Sequence, residues 1–450
     1  MSAPVRRTRG TLIGRRSFQL GRRGLPASLI LSLLFLGRAV AAIALETEAD
    51  VDLLPTASLA PQGGGVSMQT EATRLVAQVA SSGKLSLAEG LGLSGTIWLD
   101  ADSLPSGSPL VSPGDKVAVS SRVLESALQW EIVPGQLILD AGKRIIHPSS
   151  GFFKVPLNLL SRPEVGGVAS SSAEAVGKWE EGWVGLDLTW LTGNLSVANF
   201  FSPRLTWSND ADQALQYVGQ QQAEFNDLVR VGVRIGEADL RLLALTSTRG
   251  SGDVSDLGVQ TGAGLDLNLG DSLTLRAEAS VADSRDRLRA LDASALTSVT
   301  ESVAWAPRAL LGFTWAQGGP RDLSVMAEYY YNGLGFAGSD YSALLQYSRN
   351  RLAAPGAPGP DILDQFGSFE AARHYGFVRV AETLDTDLSV ALWTEANLQD
   401  PSGMTGAVLG FTRDSWALTG SIVDCWGAKD SEAGLSPLLW RLDLEMSLFF

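Results

Sequence analysis

The chain has 450 residues, 45% of them apolar, and its 35 basic and 49 acidic residues leave a net charge of −14. It exceeds the usual size of one soluble domain, yet no Pro/Gly linker or charge run divides its central part, so one large closed architecture is expected. The acidic balance argues against a nucleic-acid partner, a single cysteine (Cys425) excludes an internal disulfide and a Cys-based zinc cluster, and no cofactor is called for.

Taken from the N-terminus, eight arginines (Arg6, Arg7, Arg9, Arg15, Arg16, Arg22, Arg23, Arg38) and no acid precede residue 46. Leu25 to Leu36 (LPASLILSLLFL) is a short apolar core followed by small residues. That order of parts reads as a secretory signal over 1–44, with cleavage after Ala41 or Ala44. A membrane anchor is the alternative, but the apolar core is far shorter than a span. GRRSFQL around Arg15 and Arg16 also resembles a twin-arginine export signal, which fits poorly with a barrel whose lipid-facing exterior would have to fold in the cytoplasm. Without these arginines, 27 basic residues face 49 acidic ones, a charge of −22. Residues 45–84 read as a polar periplasmic leader with a short helix at Thr70 to Ala80.

From Leu85 the pattern becomes period two, the mark of strands with one apolar and one polar face. Val259, Thr261, Ala263, Leu265, Leu267 and Leu269 alternate with Gln260, Gly262, Gly264, Asp266 and Asn268. Across Gly270-Asp271, Leu273, Leu275, Ala277, Ala279 and Val281 repeat the pattern, which predicts a hairpin. Sixteen strands are predicted, starting near Ser86, Val117, Gln136, Trp183, Asn194, Val229, Ala238, Gly258, Ser272, Ser302, Asp322, His374, Asp387, Gly403, Ser415 and Pro437. Tight turns fall at Pro134-Gly135, Thr192-Gly193, Gly236-Glu237, Gly270-Asp271, Gly318 to Arg321, Asp385-Thr386 and Asp414. Long connections at 147–181, 202–227 and 333–372 fall on the other rim. No apolar run after residue 50 is long enough for a membrane helix, whereas strands of about 10 to 12 residues suit a tilted membrane crossing. The expected fold is therefore all-β: a transmembrane antiparallel β-barrel over 85–450, with about 16 strands in a range of 14 to 18, short periplasmic turns and long extracellular loops. A soluble β-sandwich is the competing fold.

The C-terminal PLLWRLDLEMSLFF alternates Leu438, Trp440, Leu442, Leu444, Met446, Leu448 and Phe450 against Arg441, Asp443, Glu445 and Ser447. It resembles the C-terminal assembly signal of outer-membrane barrels. The resemblance implies recognition by the barrel assembly machinery, with Trp440, Leu448 and Phe450 as its handles. LDAGKRIIHPSSGFFKVPLNLLSRPE, residues 139–164, resembles a segment of porin-like and alginate-export-like barrels through Gly142, Lys143, Arg144, Gly151, Phe152, Phe153, Pro156, Leu157 and Asn158. His147-Pro148 stands where that group has Trp-Gly. AEYYYNGLGF, Ala327 to Phe336, is similar to a second piece of the same group. These resemblances imply transport or export through a Gram-negative outer-membrane barrel without naming a substrate.

Opposite the apolar stripes lie Arg230, Arg234, Arg276, Glu278, Arg308, Glu328, Arg379, Glu395 and Arg441, with Asp443 and Glu445. In a barrel that face lines the lumen and sets ion preference, or plugs a narrow barrel with ion pairs. Trp98, Trp130, Trp183, Trp190, Trp207, Trp305, Trp315, Tyr329, Tyr331, Trp416, Trp426 and Trp440 suit aromatic girdles, or a sugar-stacking track. Two histidines, His147 and His374, with no motif-level spacing to a nucleophile, argue against an enzyme. The expected function is a porin-like channel for small hydrophilic solutes in the outer membrane, in contact with lipid and lipopolysaccharide. Loop 147–181 or loop 333–372 would fold inward as a constriction. A barrel that exports or binds an anionic exopolysaccharide is the alternative, and a homo-oligomer is compatible with either.

Overall fold

The computed structural model describes residues 46–56, 74–88, 90–103, 118–159, 182–203, 225–248, 257–283, 285–292, 297–319, 321–353, 371–414, 416–435 and 440–449. The predicted signal at 1–44 lies outside them.

Alternating side chains and glycine-bearing turns generate hairpin after hairpin. In chain order the strands are β1 (Glu46–Thr56), β2 (Arg74–Ala88), β3 (Leu91–Ser103), β4 (Ala118–Val133), β5 (Leu137–Arg144), β6 (Trp183–Thr192) and β7 (Leu195–Pro203). They continue with β8 (Phe225–Ile235), β9 (Ala238–Thr248), β10 (Leu257–Leu269), β11 (Leu273–Ala282), β12 (Arg285–Asp292), β13 (Thr297–Val303), β14 (Ala306–Gln317) and β15 (Leu323–Asn332). After helix α1 (Gly338–Ala353) come β16 (His374–Asp385), β17 (Leu388–Asn397), β18 (Ser402–Arg413) and β19 (Trp416–Trp426), then the short helix α2 (Glu432–Leu435) and β20 (Trp440–Phe449).

Eighteen of these strands form one sheet, in which each pairs antiparallel with its chain neighbours and β11 pairs directly with β14. β12 and β13 make a separate hairpin between those two. β20 pairs with β19 from Trp416↔Leu448 to Asp424↔Trp440, and with β1 from Glu48↔Phe449 to Val51↔Met446. β1 in turn pairs with β2, so the pairing returns to its start and the sheet is a barrel. Closure satisfies the backbone of every strand without an open edge, the condition for crossing lipid with strands.

The surface is the inverse of a soluble protein's. Mid-strand Leu311, Leu392, Leu409 and Ile422 are 50–58% exposed, whereas Asp187, Glu278, Glu328 and Glu395 on the other face are at most 4% exposed. Apolar side chains point outward and charged ones inward, as lipid outside and a polar interior require. A sandwich would hide its leucines between two sheets.

The predicted hairpin at Gly270-Asp271 is β10–β11, with Leu269 opposite Leu273 and Gly270 at φ +67, a left-handed conformation that glycine adopts without strain. All seven predicted tight turns connect consecutive strands on one rim, and Gly90 between β2 and β3 adds an eighth. Four expectations need correction. The polar leader expected at 45–84 carries two strands, β1 and β2, and the expected helix at Thr70–Ala80 overlaps β2. In that stretch Leu75, Ala77, Val79 and Ser81 alternate with Val76, Gln78, Ala80 and Ser82, small residues whose weak contrast hides the period. Ser86 closes β2 instead of opening a strand, and Ser302 belongs to the β12–β13 hairpin, with the barrel strand starting at Ala306. Among the described residues the barrel therefore has eighteen strands, the upper end of the expected range, and parity is preserved because β1 and β2 enter as a pair.

Candidate functional site

The site is where a loop crosses the barrel interior. β5 ends at Arg144, and residues Ile145 to Leu159 run against the lumen wall, with Ile146, Phe153, Leu157 and Asn158 all under 9% exposed. Gly142, at φ +143, sets this up. A Cβ there would lie 2.1 Å from the Ser126 carbonyl oxygen, so only glycine lets β5 pack this closely against β4.

Two carboxylates of the wall hold the loop by its backbone. Glu278 on β11 accepts the Ser150 N–H (2.5 Å) and hydroxyl (3.0 Å), and also the Ser149 hydroxyl. Glu328 on β15 accepts the N–H groups of Phe152 (3.0 Å) and Phe153 (2.8 Å) and a guanidinium N–H of Arg276 (2.8 Å). Arg241 on β9 donates to the Pro148 carbonyl (2.7 Å), the Ser150 hydroxyl (2.6 Å) and Asp266 (2.6 Å). A loop that crosses a lumen must find partners for its N–H and C=O groups, and charged acceptors in a low-dielectric interior are strong ones. Ser149 and Ser150, beside His147, thus serve as anchors. His147 lies 2.9 Å from the Asn158 side chain, and burial lowers its pKa.

The loop is also wedged by shape. Leu157, fully buried, fills the space left by Gly262 and Gly264 on β10, where a Cβ would lie 2.5 and 2.7 Å from its methyl carbons. It packs there with Ile146, Phe200, Leu228, Leu243 and Leu245. At the tip Phe153 stacks on Phe377 at 5.1 Å, and the Arg379 guanidinium sits 5.5 Å from the Phe152 ring centre.

A second group of elements covers the adjoining arc of wall. Tyr341, Leu344 and Tyr347 of α1, with Ala433 and Leu435 of α2, pack on Tyr330, Tyr375, Phe377, Trp393 and Met404. Both long loops expected to fold inward therefore contribute described residues to the interior. The two segments that resemble porin-like barrels, far apart in sequence, meet here: Phe153 shares a cluster with Tyr330 and Phe336, and Glu328 binds the Phe152–Phe153 backbone.

The predicted lumen residues divide. Arg230 donates to both oxygens of Asp187 at 2.6 Å. Arg276, Glu278 and Glu328 form the loop anchor described above. Arg379 faces the loop tip, Glu395 is buried on the same face, and Arg308 lines a cavity beside the loop. Arg234 is the exception: it lies at the short-turn rim, 65% exposed and 3.7 Å from Asp239, because β8 ends one residue later. For Arg441, Trp440 and Leu448 only the backbone register of β20 is described, which sets Arg441 opposite Val423; Phe450 lies outside the described residues. The inner face is not uniformly polar, since apolar side chains on it are covered by the folded-in loops.

Arg241, Asp266, Asp187, Arg144 and Asp140 were not among the predicted lumen residues. Arg144 pairs with Asp140 and sits 3.8 Å from Asp187, which joins β5, β6 and β8. Arg241 escaped because β9 carries leucines on both faces, Leu240 and Leu242 outward and Leu243 and Leu245 under the loop. Trp183, expected in a girdle, lines the cavity beside the loop instead, whereas Trp130, Trp190 and Trp305 are 46–61% exposed.

No family model and no curated protein matches this chain. Solved structures do. Salmonella typhi OmpF, in a complex with daunomycin, aligns over 90% of this chain and 96% of its own at 10% identity, with a TM-score of 0.46. Acinetobacter baumannii OccAB1 gives the same identity and coverages with a TM-score of 0.47. A Rh. blastica porin mutant aligns over 90% of this chain and 100% of its own, at 10% identity and a TM-score of 0.43. The barrel itself rests on the strand pairings and the inverted surface.

Proposed function

We propose that the protein is an outer-membrane, porin-like channel through which small hydrophilic solutes diffuse, narrowed by the loop at 145–159. The observation that carries this reading is the closed sheet with leucines outside and carboxylates and guanidinium groups inside, crossed by a loop that those charges anchor. A lumen lined this way stays wet and selects by charge and size. Arg230, Arg276, Glu278, Arg308, Glu328, Arg379, Glu395 and Arg441 are the proposed lumen and selectivity residues; Arg234 acts at the rim.

In the same reading, residues 1–44 direct export and are removed, and β20 carries the assembly signal with Trp440, Leu448 and Phe450. Outer-membrane lipid and lipopolysaccharide surround the barrel, several copies of the chain can associate, and no catalysis is involved. Export or surface binding of an anionic polysaccharide gains no support from a lumen in which Arg144, Arg230, Arg241, Arg276 and Arg379 are engaged with acids or with the inward loop.

Osmotic swelling of proteoliposomes tests the proposal. Vesicles holding the folded protein should swell in small sugars and amino acids, more slowly as solute size rises. Swelling no faster than in protein-free vesicles contradicts it.

A further inference from the structure

On the long-loop side of the constriction, a cavity of about 290 Å³ lies between the Pro156–Leu159 end of the loop and the lumen faces of β8 to β14. That is room for a molecule of single-sugar size. Three amides line it, Asn158, Asn226 and Gln260, each 6–8% exposed. Asn158 is engaged by His147 and the Ser149 N–H. The side chains of Asn226 and Gln260 have no hydrogen-bond partner among the described residues.

Two amides that line a cavity without a protein partner are open to the polar groups of whatever fills it. Each amide offers both a donor and an acceptor, which matches the hydroxyl group, itself both. Ser280 on the same wall extends that character. Arg308 is the charged side chain among the lining residues, and its planar fork suits a carboxylate while repelling an ammonium group.

We infer that this cavity is a binding site for a polyhydroxylated monocarboxylate of single-sugar size, with Arg308 on the carboxylate and Asn226 and Gln260 on hydroxyls. The inference rests on the channel reading for the route by which the solute arrives. It gives the channel a preference: a hydroxylated acid pauses here, next to the constriction, while a neutral polyol or a plain fatty acid does not.

The test is calorimetric titration of the full folded chain in detergent with gluconate. Sorbitol, with the hydroxyls and no charge, and hexanoate, with the charge and no hydroxyls, are the comparisons. Gluconate should bind, with each comparison weaker by about tenfold or more. Asn226→Leu, Gln260→Met and Arg308→Gln should each weaken gluconate by about tenfold, since each strips partners from a buried polar contact. The two amide variants keep the test alive if Arg308→Gln does not fold, which heat-modifiable gel mobility reports. No gluconate binding by the wild type, or binding unchanged in the folded variants, overturns the site. The same protein in a planar bilayer separates the two readings. Current without gluconate binding or interruption removes the site and leaves the channel, whereas gluconate binding without any current leaves the site and removes the channel.

Discussion

Glu432 joins three loops on the long-loop side. Fully buried in α2, its carboxylate accepts the Ala371 N–H (2.8 Å), the Tyr375 hydroxyl (2.9 Å) and the Asn397 amide (2.6 Å). Its own N–H donates to Asp400, which also accepts the Tyr341 hydroxyl (2.6 Å). Burial, with Asp400 adding to it, pushes the Glu432 carboxyl up to about 7 from an ordinary 4.5, against the lowering effect of its hydrogen bonds. Between those values the folded protein keeps a proton that the unfolded chain has lost, so stability falls as pH rises, by about 3 kcal/mol across the interval. The loops should hold best in mild acid and loosen above about pH 7. Limited proteolysis at about pH 5 and about pH 8 reads this, with faster loop cleavage at the higher pH in the wild type and little change in Glu432→Gln. Equal wild-type rates contradict it. Glu328 makes a different prediction because it is paired. Glu328→Ala leaves the Arg276 guanidinium, 12% exposed, without its carboxylate and frees two loop N–H groups, a loss of about 3–5 kcal/mol. Thermal unfolding in detergent should drop accordingly, while Arg321→Ala, at an exposed 3.9 Å contact with Glu382, should barely move it.

At the scale of elements, the strand is what the sequence displays best. β10 and β11 alternate apolar with polar or small residues, and their period survives translation into structure because lipid and lumen impose opposite demands on the two faces. β2 and β9 are harder to read for a physical reason: small residues blur the first, and the second buries leucines under a loop that comes from far along the chain. The loop at 145–159 is legible as a loop from its Pro, Ser and Gly content, but its anchors are not. Which carboxylates meet Ser150 and Phe153 depends on the register of strands more than a hundred residues away, and no local pattern encodes that. The glycines tell the same story, since Gly262 and Gly264 read as neutral members of a polar face and prove to be the seat of Leu157. Gly262→Val should therefore displace the loop, seen as faster protease cleavage near Leu157. Leu157→Ala added to it should restore protection in part, and a double variant as labile as the single one argues against the wedge.

At the scale of the whole molecule, closure and inversion decide what the protein can be. β20 meets β1 and removes the sheet edge, the outward leucines call for lipid, and the inward charges call for water or for one another. Many of those charges are satisfied by one another and by the crossing loop, so the lumen is narrowed on one side while still presenting polar groups along the cavity beside the loop. This balance between a plugged and an open barrel is the central claim, and single-channel recording tests it most directly. Purified, folded protein added to a planar bilayer should give discrete current steps, and Glu328→Ala, by releasing the loop from the wall, should make them larger and noisier. A protein that inserts, shown by its protection in vesicles, and passes no current in either form would contradict the account.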